Sequence, residues 1–300
     1  MKRRFNNFIS IENFSREEIF LILKITERME KQIRIGINRK LLERRTLGIL
    51  YENDHHSRLS FEIAMKKLGG NVVSYFSIDP VKNARIISGY CDVLAVRGEK
   101  EGTSELISEM VTKPVINAGE FHQDICKIIE ILYSINKTHK TLENLNIGIF
   151  GDLKYNRFLH SLINILTLFN SKLYFISHDE LQLPIEILKE LNQNKIFFLE
   201  SNNFESVVDK LDVLYHNGIT SKEFINHNEY EKAESQFSID ENTLVGVNQN
   251  FILLSSQPNN MISKRLDNSK HSKYFMQNVC GIYVRQALLG LSLGAIKYEK

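Results

Sequence analysis

Cysteine is scarce in this 300-residue chain, with three in all. Cys91, Cys126 and Cys280 lie far apart, form no CxxC pair and sit in apolar neighbourhoods. A free thiol in such surroundings behaves as a small hydrophobe, so these are expected to be reduced core thiols of a cytoplasmic protein. Long hydrophobic runs are missing as well: none approaches the roughly 20 residues needed to cross a bilayer. The basic start Met1-Lys2-Arg3-Arg4 leads into Ile11-Glu12-Asn13-Phe14-Ser15-Arg16-Glu17-Glu18, which lacks the apolar core of a secretion signal, so the protein is expected to stay inside the cell. A block of one charge sign is absent too. The net charge of +2 is spread over Lys-rich segments, which excludes a counterion-release mode of nucleic-acid binding. There is no repeat of solenoid period and no low-complexity segment.

What is present is an ordinary globular composition, 43% hydrophobic and 25% charged. The length exceeds what one core fills, which predicts two domains. Ser15 followed by Glu18 has capping-box spacing, and Ile19, Leu21, Ile22, Ile25 and Met29 then recur at helical intervals. The segment 46–51 reads as a strand, and Leu59, Ile63, Ala64 and Leu68 form the stripe of a helix stopped by Gly69-Gly70. The alternation continues with strands at 71–76, 92–96 and 114–117 and helices near 104–110 and 122–135. Polar residues 136–144 are the linker candidate. It restarts with strands at 146–150, 173–176, 196–199, 213–215 and 251–254, helices near 156–169 and 184–191, and a last apolar helix from about Lys273 to Leu293. Strands alternating with helices imply parallel sheets covered on both faces. The expected fold is therefore α/β, two doubly wound parallel-sheet domains joined by interdomain helices: residues 1–138, with the helix 273–297 packing back on them, and residues 139–272.

Ligands of open α/β sheets bind beyond the carboxyl ends of the strands, so the turns after Tyr51, Val96, Asn117, Phe150, Tyr215 and Leu254 are the places to look. After Phe150, Gly151 lets the chain turn and a helix end offers free amides to an anion. Arg157 at that end is open to two readings, a fork onto a carboxylate or a solvated helix-face residue. His160, one turn further in, reads as a packed or hydrogen-bonded histidine. After Tyr51 come Glu52-Asn53-Asp54-His55-His56-Ser57-Arg58, again strand into helix. Asp54 there repels a phosphate in a low-dielectric cleft. Asp54, His55 and His56 are also candidate ligands of a divalent metal, but adjacent side chains diverge on a helix and no third distant ligand is marked. No metal and no cofactor is expected.

Ser57-Arg58-Leu59-Ser60-Phe61-Glu62, Asn117-Ala118-Gly119, Gly151-Asp152-Leu153-Lys154-Tyr155 with Arg157 and His160-Ser161-Leu162, and Gly281-Ile282 with Arg285-Gln286-Ala287-Leu288-Leu289 resemble, nearly end to end, the aspartate/ornithine carbamoyltransferase family, its aspartate branch in particular. The resemblance implies the two-domain carbamoyltransferase fold, a carbamoyl-phosphate-binding-type and an aspartate-binding-type domain, and a role in pyrimidine synthesis. It implies assembly as a homotrimer or as a mixed oligomer with carbamoyltransferase or regulatory subunits. It places retained substrate contacts at Glu52, Ser57, Arg97 and Arg157.

The same resemblance exposes departures. The family's Ser-Thr-Arg-Thr-Arg phosphate loop reads here as Asp54-His55-His56-Ser57-Arg58, three of five replaced. Its His-Pro-x-Gln segment falls on Gln123-Asp124-Ile125-Cys126. Ser77 to Cys91 is too short for the loop that reaches into a neighbouring subunit. The Arg-x-Gln aligns with Gly218-Ile219-Thr220, and the His-Pro-Leu-Pro-Arg turn with Ser255-Ser256-Gln257-Pro258-Asn259. Losing one charge-stabilising donor typically costs about 10²- to 10³-fold in rate. The expectation is a catalytically silent or strongly impaired homologue with a structural or regulatory role and no assignable catalytic residue. The alternative is an active family enzyme that uses either the ordinary substrates or a changed one recognised by Asp54, His55 and His56.

Overall fold

Ser15 opens the first helix, α1 (Arg16–Arg34), by the predicted exchange: its hydroxyl accepts the Glu18 amide, and its own amide donates to the Glu18 carboxylate at 2.9 Å. Two amides that a helix end leaves orphaned are thereby satisfied. The computed structural model describes residues 5–37, 40–53, 55–120, 123–219, 226–255 and 261–297. After α1 come β1 (Thr46–Tyr51), α2 (Ser57–Lys67), β2 (Asn71–Phe76), α3 (Pro80–Ser88), β3 (Val93–Gly98), α4 (Thr103–Met110), β4 (Val115–Glu120) and α5 (Ile125–His139). The four strands form one parallel sheet in the order β2-β1-β3-β4.

A second parallel sheet, ordered β7-β6-β5-β8-β9, is built from β5 (Asn146–Phe150), β6 (Lys172–Ile176), β7 (Phe198–Ser201), β8 (Val213–His216) and β9 (Ile252–Ser255). Its helices are α6 (Arg157–Thr167), α7 (Ile185–Gln193) and α8 (His227–Gln236); α9 (Tyr274–Ser292) closes the chain. The chain divides into two units, Met1–Tyr133 with Asn278–Lys300 and Ser134–Gln277, so the division falls inside α5 and α9. The fold is the predicted pair of parallel α/β sheets. In the first unit Leu50, Leu94, Val96, Ala84, Ile107 and Val115 form one core cluster; in the second Phe150, Ile176, Leu214, Phe237 and Leu253 belong to another.

Some elements differ from the sequence reading. α3 fills most of Ser77 to Cys91, where the sequence reading placed no element; Asp79 caps it by accepting the Lys82 amide, with Pro80 in its first turn, where a missing N–H costs nothing. α5 begins at Ile125 and runs on to His139, so part of the polar stretch read as linker is helical. α8 has no counterpart in the sequence reading, because a helix so polar carries little apolar periodicity. The strand read at 196–199 lies at Phe198–Ser201.

The strand orders decide where ligands belong. In the first sheet β1 is flanked by β2 on one side and β3 on the other, and in the second β5 by β6 and β8. At such a reversal the loops leave in opposite directions and open a crevice at the strand ends. The loops after Tyr51 and Phe150 leave from those positions.

Candidate functional site

In the first unit the ends of β1 and β3 are tied together by Glu52, whose amide donates to Arg97 O at 3.0 Å and whose carboxylate accepts the Glu99 amide at 2.8 Å. Glu52 thus braces the crevice wall. Asp54 lies outside the described residues. His55 follows, with Nδ1 at 2.9 Å from Ser57 Oγ and 3.2 Å from the Ser57 amide. Ser57 Oγ is also 3.2 Å from the hydroxyl of Tyr51, and both residues are buried. The His55 and His56 rings lie 4.1 Å apart, inclined at 38°. Arg58 turns back along α2, pairing with Glu62 and lying 5.7 Å from the Phe76 ring centroid.

Arg97, on the last turn of β3, donates from Nη1 to Ala118 O at 3.2 Å. Gly119 makes room for it: φ is +116°, and a Cβ there would overlap Nη1 and come 3.3 Å from an Asp124 carboxylate oxygen. Asp124 heads α5 and accepts the Lys127 amide at 2.9 Å. Beneath lies a buried ion pair, Arg285 of α9 with Glu130 of α5, the guanidinium 5.0 Å from the Phe61 ring centroid.

These neighbours set the charge state of the loop. Burial, reinforced by the Arg97 guanidinium, pushes the His55 imidazole down to about 4. His56 is pushed down as well, by burial first and then by Lys127. Burial pushes the Tyr51 hydroxyl up. The loop that the resemblance assigns to phosphate therefore presents neutral imidazoles.

In the second unit Gly151 turns the chain at φ +125°. Asp152 is buried and accepts the amides of Lys154 and Tyr155 at 3.0 and 2.9 Å, shaping the loop rather than facing a ligand. Asn156 caps α6 through the Leu159 amide. Arg157 is exposed at the first position of that helix. His160 donates its Nε2–H to Leu153 O at 2.7 Å and so holds the loop, the hydrogen-bonded role read from the sequence. Gly218 and Ile219 follow β8, while Thr220 and the residues 256–259 lie outside the described residues.

The structure thus brings His55, Ser57 and Tyr51 together beside Arg97, places Glu52 as a brace and Arg58 in an ion pair, and leaves Arg157 in the other unit. Sequence reasoning missed Tyr51, Asp124 and the Arg285–Glu130 pair. The signal for the last was a charged residue in the otherwise apolar run Gly281 to Leu289. Among the described residues no three His, Cys, Asp or Glu side chains converge on a metal-sized point. The three cysteines are free and buried, and burial pushes the Cys91 thiol up to about 11.

Comparison with known proteins gives a consistent result. Residues 6–137 match the family model of the aspartate/ornithine carbamoyltransferase carbamoyl-P binding domain, and residues 143–292 that of the Asp/Orn binding domain. The aspartate carbamoyltransferase catalytic subunit of Methanosarcina mazei is 34% identical, over 96% of this chain and 97% of its own. That of Methanocaldococcus jannaschii is 35% identical, over 94% and 96%. A crystal structure of the M. jannaschii catalytic subunit superposes with a TM-score of 0.90 at 35% identity, covering 95% of this chain and 96% of that one. The Trypanosoma cruzi aspartate transcarbamoylase in complex with carbamoyl phosphate gives 0.87 at 25% identity, covering 96% and 95%.

Proposed function

We propose a function from one premise: the chain belongs to the aspartate/ornithine carbamoyltransferase family. Within it the chain is an aspartate carbamoyltransferase-like protein of pyrimidine biosynthesis. Full-length similarity to catalytic subunits supports a working family member more than the silent homologue expected from the sequence. The observation that carries our reading is the loop after β1. It keeps the helix end, Ser57 and the nearby Arg97, yet presents neutral His55 and His56 where the family resemblance calls for hydroxyl and guanidinium groups. A crevice remade in this way suits a ligand less anionic than carbamoyl phosphate.

The silent, structural or regulatory reading has an observation of its own. Ser57 is engaged by His55 and Tyr51, Arg58 by Glu62, and Arg97 in part by a backbone carbonyl, so the retained polar groups are occupied within the fold. One pair of measurements separates the readings. Purified protein incubated with carbamoyl phosphate and aspartate is assayed for carbamoylated product, and a thermal-shift screen is run over carbamoyl phosphate, phosphate, carboxylates and amino acids. A changed ligand predicts no product and a shift with a non-phosphate ligand. Product at enzymatic rates restores the ordinary reaction, and a flat screen leaves the silent reading.

Assembly as a homotrimer or mixed oligomer in the cytoplasm belongs to the same proposal. It is supported by the apolar side chains that the first unit exposes on and beside the edge strand β2, namely Val73, Tyr75, Phe76 and Ile78, with Leu59 and Ile63 on α2.

A further inference from the structure

Ser57 Oγ sits between the Tyr51 hydroxyl at 3.2 Å and His55 Nδ1 at 2.9 Å. Either pair taken alone leaves the direction of donation open. The backbone closes it, because the Ser57 amide also points at His55 Nδ1, at 3.2 Å. An amide N–H donates and never accepts, so Nδ1 holds a lone pair there and not a proton. Two lone pairs facing each other at the Oγ to Nδ1 distance would repel, so the Ser57 hydroxyl donates to Nδ1. Its remaining lone pairs take the Tyr51 hydroxyl proton. The imidazole proton is left on Nε2, on the side of the ring turned away from Ser57.

His55 is half-buried, and burial together with Arg97 keeps its imidazole neutral. Among the described residues the groups that act on it are Arg97, Asp124 and Arg285, beside the imidazole of His56. The His55 imidazole therefore offers one neutral N–H donor, of direction fixed by Ser57, in the field of the Arg97 guanidinium, and the Asp124 carboxylate lies close to that guanidinium at Gly119. A phosphate ester brings two charges and needs several charge-assisted donors to replace its water. A carboxylate brings one charge and two coplanar oxygens, which a guanidinium and a single N–H can satisfy.

We propose that this crevice takes a small carboxylate in place of a phosphate ester, received by the Nε2–H of His55 and the Arg97 guanidinium. The proposal deepens the reading of a working family member and rests on it. The assignment of Nε2–H follows from Ser57 and Tyr51, neither of which needs to touch the ligand.

The test uses the full chain labelled with ¹⁵N-histidine. Long-range ¹H–¹⁵N correlations report the His55 tautomer, and chemical-shift titrations at pH 8 compare acetate and bicarbonate with inorganic phosphate and carbamoyl phosphate. We expect the Nε2–H tautomer, and acetate or bicarbonate bound about 10-fold or more tightly than either phosphate compound. Acetate affinity should be level from pH 5.5 to 8.5, since an imidazole that stays neutral throughout adds no proton linkage. His55→Ala should weaken acetate by about 10-fold, and His55→Gln, whose amide restores a donor near Nε2, should recover most of it. A preference for phosphate or carbamoyl phosphate, or an Nδ1–H imidazole, overturns the carboxylate assignment and leaves a working family member standing. Silence toward all four probes, with Nε2–H in place, overturns the carboxylate assignment, and the product assay with the wider ligand screen then decides the reading it rests on.

Discussion

Glu130 and Arg285 are each 4% exposed and face one another in the first unit. Removing one member of such a pair strands the other charge without water, which typically costs about 3–5 kcal/mol, whereas an apolar replacement of both is often neutral. Glu130→Gln should lower the urea midpoint accordingly, and Glu130→Met with Arg285→Met should recover much of the loss. In the second unit His216 is fully buried and its ring lies 4.5 Å from that of Phe150. Burial pushes its imidazole from the usual 6.5 down to about 4. Below about pH 6.5 the unfolded chain binds a proton that the folded one refuses, so stability is full above that pH and declines as pH falls toward 4. The loss is on the order of 3 kcal/mol. Denaturation midpoints at pH 7.5, 5.5 and 4.5 measure it as the part of the slope that His216→Leu removes, the remainder belonging to groups such as His55 and His56. Single residues of this kind are hard to read from sequence. His216 looks like any histidine after a strand, and only its burial in the folded unit fixes its charge state.

Among the elements, those with strong local chemistry were legible and those shaped by packing were not. The capping box of α1 is a four-residue code, and Ser15→Ala should cost about 1 kcal/mol and lower hydrogen-exchange protection in the first turn. α6 was legible for the same reason, with Asn156 as its cap and Phe158, Leu159, Leu162 and Leu166 on its buried face. α3 was missed although Asp79-Pro80 is a good start signal, because a helix of nine residues is too short to repeat its apolar spacing. β2 was read as a strand, but its position at the sheet edge, with most of its side chains exposed, is a fact of topology. That exposure carries a prediction about β2 and the residues just after it. Tyr75→Lys with Ile78→Lys should leave the melting temperature of an isolated protomer nearly unchanged, since both side chains are exposed.

At the scale of the whole molecule the same two substitutions test assembly. If the apolar face around β2 is covered by another subunit, wild-type protein should sediment as an oligomer and the double variant should shift toward monomer at equal concentration. Placing two ammonium groups in an apolar contact removes its desolvation gain and adds repulsion between copies. The family relationship bears on this scale as well. The fold shared with known catalytic subunits persists at about one-third identity, with a TM-score of 0.90, because a sheet buried on both faces asks only for apolar strands of the right length. The loop after β1 is under no such averaging, and its residues can differ without moving the fold.

The sequence by itself determined the two α/β lobes, the order of most strands and helices, the family, and the positions at which the loop after β1 departs from the motif that the resemblance implies. These follow from local periodicity, caps and short motifs, all encoded by neighbours in the chain. Only the tertiary structure decided what the altered loop offers a ligand. The protonation of His55 depends on the Ser57 amide, the Tyr51 hydroxyl and the Arg97 guanidinium, and it is folding that brings Tyr51 and Arg97 to the same strand ends. Burial and hydrogen-bond direction are properties of that gathering, which no single stretch of the chain contains.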